Sequence, residues 1–169
     1  MTRRVWAIVT AGCVLGGLAW ADVPQRLLGN KPDLEVQLET WKVVRQADGQ
    51  ESLENAQRAF PGEVIQYDAH YVNQSDHILG RVSPMLPIPE GMVMVPDSAR
   101  PAPQEASLDG KTFESIPVKR RVTMPGGEIV EETVAPSEYR ALRWHVGDMA
   151  AGKSTTVSVR TQVLGNDLP

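Results

Sequence analysis

The chain has 169 residues, with 17 Lys and Arg against 21 Asp and Glu for a net charge of −4, and 41% hydrophobic but only 5% aromatic residues. That length suits one domain with a real core rather than two thin ones. The acidic balance speaks against a nucleic-acid binder or a binder of anionic membranes, both of which need a basic face.

Residues 1–21 read as a cleavable export signal. Arg3 and Arg4 form a basic start, Val5 to Leu18 is a mostly apolar run without charge, and Ala19-Trp20-Ala21 is an A-x-A cleavage signature. The run is shorter than the roughly 20 residues a spanning helix requires, so no membrane span is expected after cleavage. Removal of the leader takes Arg3 and Arg4 and moves the net charge from −4 to −6. Cys13, the one cysteine, leaves with it. The mature chain then has no thiol for a disulfide, a thiolate metal site or a nucleophile. The expected location is the periplasm or the cell surface.

Residues 22–33, with Pro24, Gly29 and Pro32 and no period, read as a linker or leader segment. The domain proper is expected over 34–164, with 165–169 as a tail. Its first strand is Leu34 to Val44, where Leu34, Val36 and Leu38 face one way and Glu35, Gln37 and Glu39 the other. Ala47-Asp48-Gly49-Gln50 is a turn, and Glu51 to Arg58 is polar enough for a surface excursion with one helical turn. Pro61-Gly62 opens a second strand with Ile65, Tyr67, Ala69 and Tyr71 on one face. Asn73 to Asp76 turns the chain into a third strand over Ile78 to Val82.

Three prolines from Pro84 to Pro89 limit that stretch to an edge or a connection. Met92 to Val95 reads as a short strand, Asp97 to Ser107 as a Pro-rich loop, and Asp109-Gly110 as a hairpin turn. Strands are expected over Phe113 to Thr123 and Ile129 to Thr133, joined by Pro125-Gly126-Gly127. Ala141 to Val146 places Trp144 in the core, and Val157, Val159 and Val163 alternate with polar residues in a last strand. Seven to nine short strands without intervening helices predict an all-β sandwich or barrel.

Three segments together resemble a known family. Phe60-Pro61-Gly62-Glu63-Val64-Ile65-Gln66-Tyr67 followed by Tyr71-Val72-Asn73, then Leu86-Pro87-Ile88-Pro89-Glu90-Gly91, then Arg143-Trp144-His145-Val146-Gly147 running on to Gly152-Lys153-Ser154, are similar to the ordered motifs of the bacterial conserved-repeat domain, domain of unknown function eleven. The similarity covers about Leu34 to Leu164. It implies an immunoglobulin-like antiparallel β-sandwich on an exported or cell-surface protein, serving as a spacer or adhesive module. It implies no catalytic residues.

The residues themselves suggest no enzyme. His70, His77 and His145 form no compact ligand pattern and read as solvated surface side chains. No G-x-S-x-G elbow or S-x-x-K occurs. Glu131 and Glu132 alternate across a strand and cannot share one acid/base site. Asp48, Asp97 and Asp109 read as turn-forming acids rather than a calcium loop. Lys42 and Asn166 are the residues that a covalent link between the first strand and the region of the last would join, and Lys119-Arg120-Arg121 reads as a solvated strand edge. Met85, Leu86, Ile88, Met92 and Met94 cluster around the Pro-rich connection and form the candidate protein-docking surface, because Met-rich patches adapt to partners. The sequence thus points to an exported, non-enzymatic module that contacts another envelope or surface protein and carries no cofactor. The alternative is a glycan- or metal-binding envelope protein that uses the loops at one end of the sandwich.

Overall fold

The computed structural model describes residues 32–165. The leader with Cys13, most of the 22–33 segment, and Asn166 with the rest of the tail lie outside the described residues, as do the expectations placed on them.

The described chain is an antiparallel β-sandwich. Thirteen strands are defined: β1 Leu34–Arg45, β2 Glu51–Asn55, β3 Val64–Asn73, β4 Leu79–Val82, β5 Met85–Pro87, β6 Met92–Met94, β7 Glu105–Ser107, β8 Glu114–Ser115, β9 Lys119–Thr123, β10 Ile129–Thr133, β11 Ala141–Arg143, β12 Gly147–Met149 and β13 Ser154–Val163. A five-stranded sheet runs in the order β2-β1-β3-β13-β6, and a four-stranded sheet in the order β5-β11-β7-β8. Two further antiparallel pairs, β12 with β4 and β10 with β9, complete the strand set.

Alternation decides which residues enter the core. On β3, Ile65, Ala69, Tyr71 and Asn73 are buried, and on β13 Thr161 opposite Ile65, Val159 opposite Tyr67 and Val157 opposite Ala69 are buried with them. Leu86 on β5, Ala106 on β7 and Leu142 on β11 pack against this row from the facing sheet, with Trp144 1% exposed among them. The indole N–H of Trp144 donates to the Pro101 carbonyl at 2.7 Å, which satisfies the one polar atom this ring carries inward.

Several expected elements are cut differently, each for a local reason. Glu51 to Asn55 is a strand rather than an excursion with a helical turn. It pairs with β1 through Val43 opposite Leu53, Lys42 opposite Glu54 and Arg45 opposite Glu51, so apolar and opposite-charge cross-strand pairs select the hairpin. The expected strand over Phe113 to Thr123 breaks into β8 and β9 at Ile116-Pro117, where proline has no N–H for a ladder. The Pro-rich loop before Leu108 contains β7, and Arg100 bridges Ser158 on β13. The expected strand through Val146 bends after Arg143, but its line continues: Trp144 N–H bonds to the Pro84 carbonyl and Val146 N–H to the Val82 carbonyl. These breaks turn the expected seven to nine runs into a larger number of short strands.

The pair β9–β10 stands apart from both sheets as a ribbon. Val118 and Val134, each 1% exposed, anchor its neck in the core, and Val134 N–H bonds to the Val118 carbonyl at 2.9 Å. Beyond the neck, Arg120 sits opposite Glu132 and Arg121 opposite Glu131.

Candidate protein-docking surface

The most unusual surface lies on β1. Its register with β3 sets Val36 opposite Tyr71 and Leu38 opposite Ala69, so both aliphatic side chains project from the face that the rest of the sheet buries. Tyr71 and Ala69 are covered, whereas Val36 is 51% exposed and Leu38 58%. The facing layer does not close over this end of β1. Leu34, at its start, still packs partly against the core.

The same stretch has an open backbone edge. β1 pairs with β3 along Leu34 to Val43, but with β2 only along Trp41 to Arg45. On the side away from β3, the backbone of Leu34 to Glu39 has no ladder partner among the described residues. At the inner end of this row, the connection from β2 to β3 crosses β1 and frames an open hollow of about 220 Å³ lined by Thr40, Ala56, Gln57, Arg58, Ala59, Ile65 and Tyr67. Burial raises the Tyr67 phenol above its ordinary pKa. Gly62, at φ 84°, makes the tight reversal that brings this connection back into β3, and Glu63 then takes the Lys42 ammonium in an ion pair. That hydrogen bond from Lys42, with a second from the Phe60 N–H, holds the Glu63 carboxyl below its usual range. Lys42 is thereby engaged with Glu63.

The Met-rich patch expected from the sequence is not a surface. Leu86, Ile88, Met92 and Met94 are buried in the common core, and only Met85 is exposed, at 47%. Alternation on these short strands turns Met92 and Met94 inward together, where the Met92 sulfur accepts the hydroxyls of Tyr67 at 3.4 Å and Thr161 at 3.3 Å. Leu86, Ile88, Met92 and Met94 are therefore not accessible to a docking partner.

The titratable residues are mostly engaged in local contacts. His70 Nδ1 lies 2.8 Å from Thr156 Oγ1, and its Nε2 lies 3.5 Å from Glu39. His77 stands beside Asp76 and Asp33. Asp48 accepts the Gln50 N–H in a turn. Asp109 accepts the N–H groups of Thr112 and Lys111, both at 2.7 Å, and the Ser107 and Thr112 hydroxyls, which hold its carboxyl well below the usual range. It shapes the loop between β7 and β8, where the Asp-Gly turn was expected. Lys119 faces Glu131, while Arg120 faces Glu132 and Glu138, so the basic run forms a cross-strand charge ladder. Among the described residues no group of three or more His, Cys, Asp or Glu is gathered as a metal site. Nor is any helix there long and apolar enough to cross a membrane.

One constellation escaped the sequence because its members lie on separate segments. His145 Nε2 is 2.9 Å from Glu105 Oε2, and its Nδ1 is 3.5 Å from Ser83 Oγ. The order Ser, His, Glu invites comparison with a hydrolytic triad. The Ser83 contact is at the limit of a hydrogen bond, and Glu105 is shared with Arg143 Nε at 2.5 Å. The Arg143 hydrogen bond, with help from His145, lowers the Glu105 pKa. Arg143 in turn lies 4.2 Å from the Phe113 ring centroid. The group is an ion-pair cluster on an exposed rim.

In comparisons with protein-family models, curated proteins and solved structures, nothing matched this chain.

Proposed function

We infer that the protein is an exported, non-enzymatic β-sandwich module that acts through contacts with other proteins in the periplasm or at the cell surface. The observation that carries this reading is the coincidence on β1 of an edge over Leu34 to Glu39 that is open among the described residues with the exposed pair Val36 and Leu38. Single exposed aliphatic residues are ordinary on any protein surface. A free edge with an apolar row beside it is the arrangement by which sheets recognise extended segments. The export-signal pattern of residues 1–21 supports the location. The motif likeness to the conserved-repeat domain supports a spacer or adhesive role.

Photocrosslinking from position 36 of the full chain, in the envelope of its source organism, tests this. The expected result is a discrete adduct that saturates and is competed by untagged protein. Absence of a saturable adduct from position 36, and from scanned positions at the other exposed apolar residues Leu38, Leu53, Phe60, Ile78, Met85, Leu108, Met124, Ile129 and Val146, contradicts the reading.

A further inference from the structure

The sheet edges differ in how they are protected. β5 is Met85–Pro87 set between Pro84 and Pro89, so its backbone lacks donors where a docking strand would need them. β8 spans only Glu114–Ser115 and runs into Pro117, and β6 spans Met92–Met94 with Pro89 and Pro96 close on either side. β2 carries Glu51 and Glu54. Short strands, proline and charge are the usual means of preventing edge-to-edge pairing. Over Leu34 to Glu39, β1 has no proline, no lysine and an unbroken register with β3. Its inward positions, where a blocking charge would stand, are Leu34, Val36 and Leu38.

A strand laid along this edge would have two distinct faces. Its inward side chains would lie beside Leu34, Val36 and Leu38, which favours apolar residues. Its outward side chains would lie beside Glu35, Gln37 and Glu39, with Asp68 across the ladder from Glu39. That outward row is acidic and favours cations. A second copy of this chain fits poorly. Antiparallel self-pairing centred on Val36 sets Asp33 opposite Glu39 at both ends, and centring on Gln37 sets Glu35 opposite Glu39 twice. Like charges directly opposite destabilise a ladder.

We propose that Leu34–Glu39 accepts an extended strand of a partner protein that alternates apolar residues with Lys or Arg, the apolar ones covering Val36 and Leu38 and the basic ones lying beside Glu35 and Glu39. This rests on the protein-contact reading above and gives the partner a chemistry. The added strand becomes the new neighbour of β1 and ends against β2 near Ala56, whose N–H meets the Thr40 carbonyl at 3.4 Å.

The test uses two fluorescent heptapeptides, one alternating Val with Lys and one alternating Val with Glu, titrated into the full chain and read by anisotropy. The basic peptide binds saturably and the acidic one roughly tenfold or more weakly. V36K and L38K, whose side chains stand in solvent and leave the fold intact by circular dichroism, each weaken the basic peptide by roughly tenfold or more. The double variant E35K/E39K reverses the preference between the peptides. Equal binding of both peptides, or wild-type affinity in V36K and L38K, overturns the proposal. A full chain that self-associates in sedimentation and loses that association in V36K assigns the edge to a second copy instead. Binding that appears only after deletion of residues 22–31 assigns it to the chain's own preceding segment. A saturable envelope adduct from other scanned positions but none from position 36, with no binding of either peptide, leaves the protein-contact reading standing and removes β1 as its site; an adduct from position 36 with no binding of either peptide overturns the alternating basic strand as its partner. Absence of both results removes both.

Discussion

The side-chain amide of Asn73 donates to the Met149 carbonyl at 2.9 Å and to the His77 carbonyl at 2.8 Å, tying the end of β3 to β12 and to the turn that leads into β4. Its oxygen accepts the Ser75 N–H and hydroxyl, and its backbone exchanges hydrogen bonds with Lys153 and Gly152. Asn73 is fully buried. Asn73→Ala therefore strands the buried Met149 carbonyl, removes a second bond to the His77 carbonyl and the acceptor of Ser75, and is expected to cost about 3 kcal/mol. Urea denaturation measures it, and a loss below about 1 kcal/mol contradicts the role.

Two apolar residues on paper alike should behave differently. Leu86 is enclosed between the sheets and Val36 stands in solvent. Leu86→Ala is expected to cost about 2–5 kcal/mol through lost transfer energy and the cavity left behind. Val36→Ala should cost less than about 1 kcal/mol. Thermal and urea melts of both variants decide it, and equal costs would mean that β1 is covered.

Asp109 gives the loop between β7 and β8 an acid sensitivity. Its folded pKa lies well below the ordinary carboxylate value because Thr112, Lys111 and Ser107 donate to the ionised form. The stability it contributes is complete above the unfolded value of about 3.9 and is lost as pH falls through the lower folded value. Asp109→Ala should therefore melt below wild type at neutral pH, with the gap narrowing in strong acid. A gap that is constant from neutral to strongly acidic pH would contradict this.

The Ser83, His145 and Glu105 cluster should not hydrolyse esters. A triad needs its carboxylate to stabilise the imidazolium formed in the reaction, and Glu105 is already engaged by Arg143. Hydrolysis of p-nitrophenyl acetate by wild type and Ser83→Ala should be indistinguishable. A rate that depends on Ser83 would contradict this.

Much of the architecture was legible because strand alternation is a local property. The faces of β1 and β3, the burial of Trp144 and the turn at Asp109-Gly110 could be read from neighbours in sequence. Burial itself could not. The inward direction of Val36 and Leu38 was readable, but their exposure depends on how far the facing sheet extends, which no local pattern records. The Pro-rich segment misled for the opposite reason. Its exposed Met85 and Pro87 alternate with Leu86 and Ile88, and only the pairing with β11 shows that those two apolar side chains point inward. The Ser83, His145 and Glu105 cluster joins segments that only the sandwich brings together.

Whether the outer edge of Leu34 to Glu39 is open can be read from amide hydrogen exchange of the full chain. Backbone N–H groups on a strand point alternately to its two sides. One alternating set within Leu34 to Glu39 is expected to exchange rapidly, while the set bonded to β3 is protected like the interior of β3 itself. Uniform slow exchange along the whole stretch would show instead that the edge is already paired and not free to accept a strand.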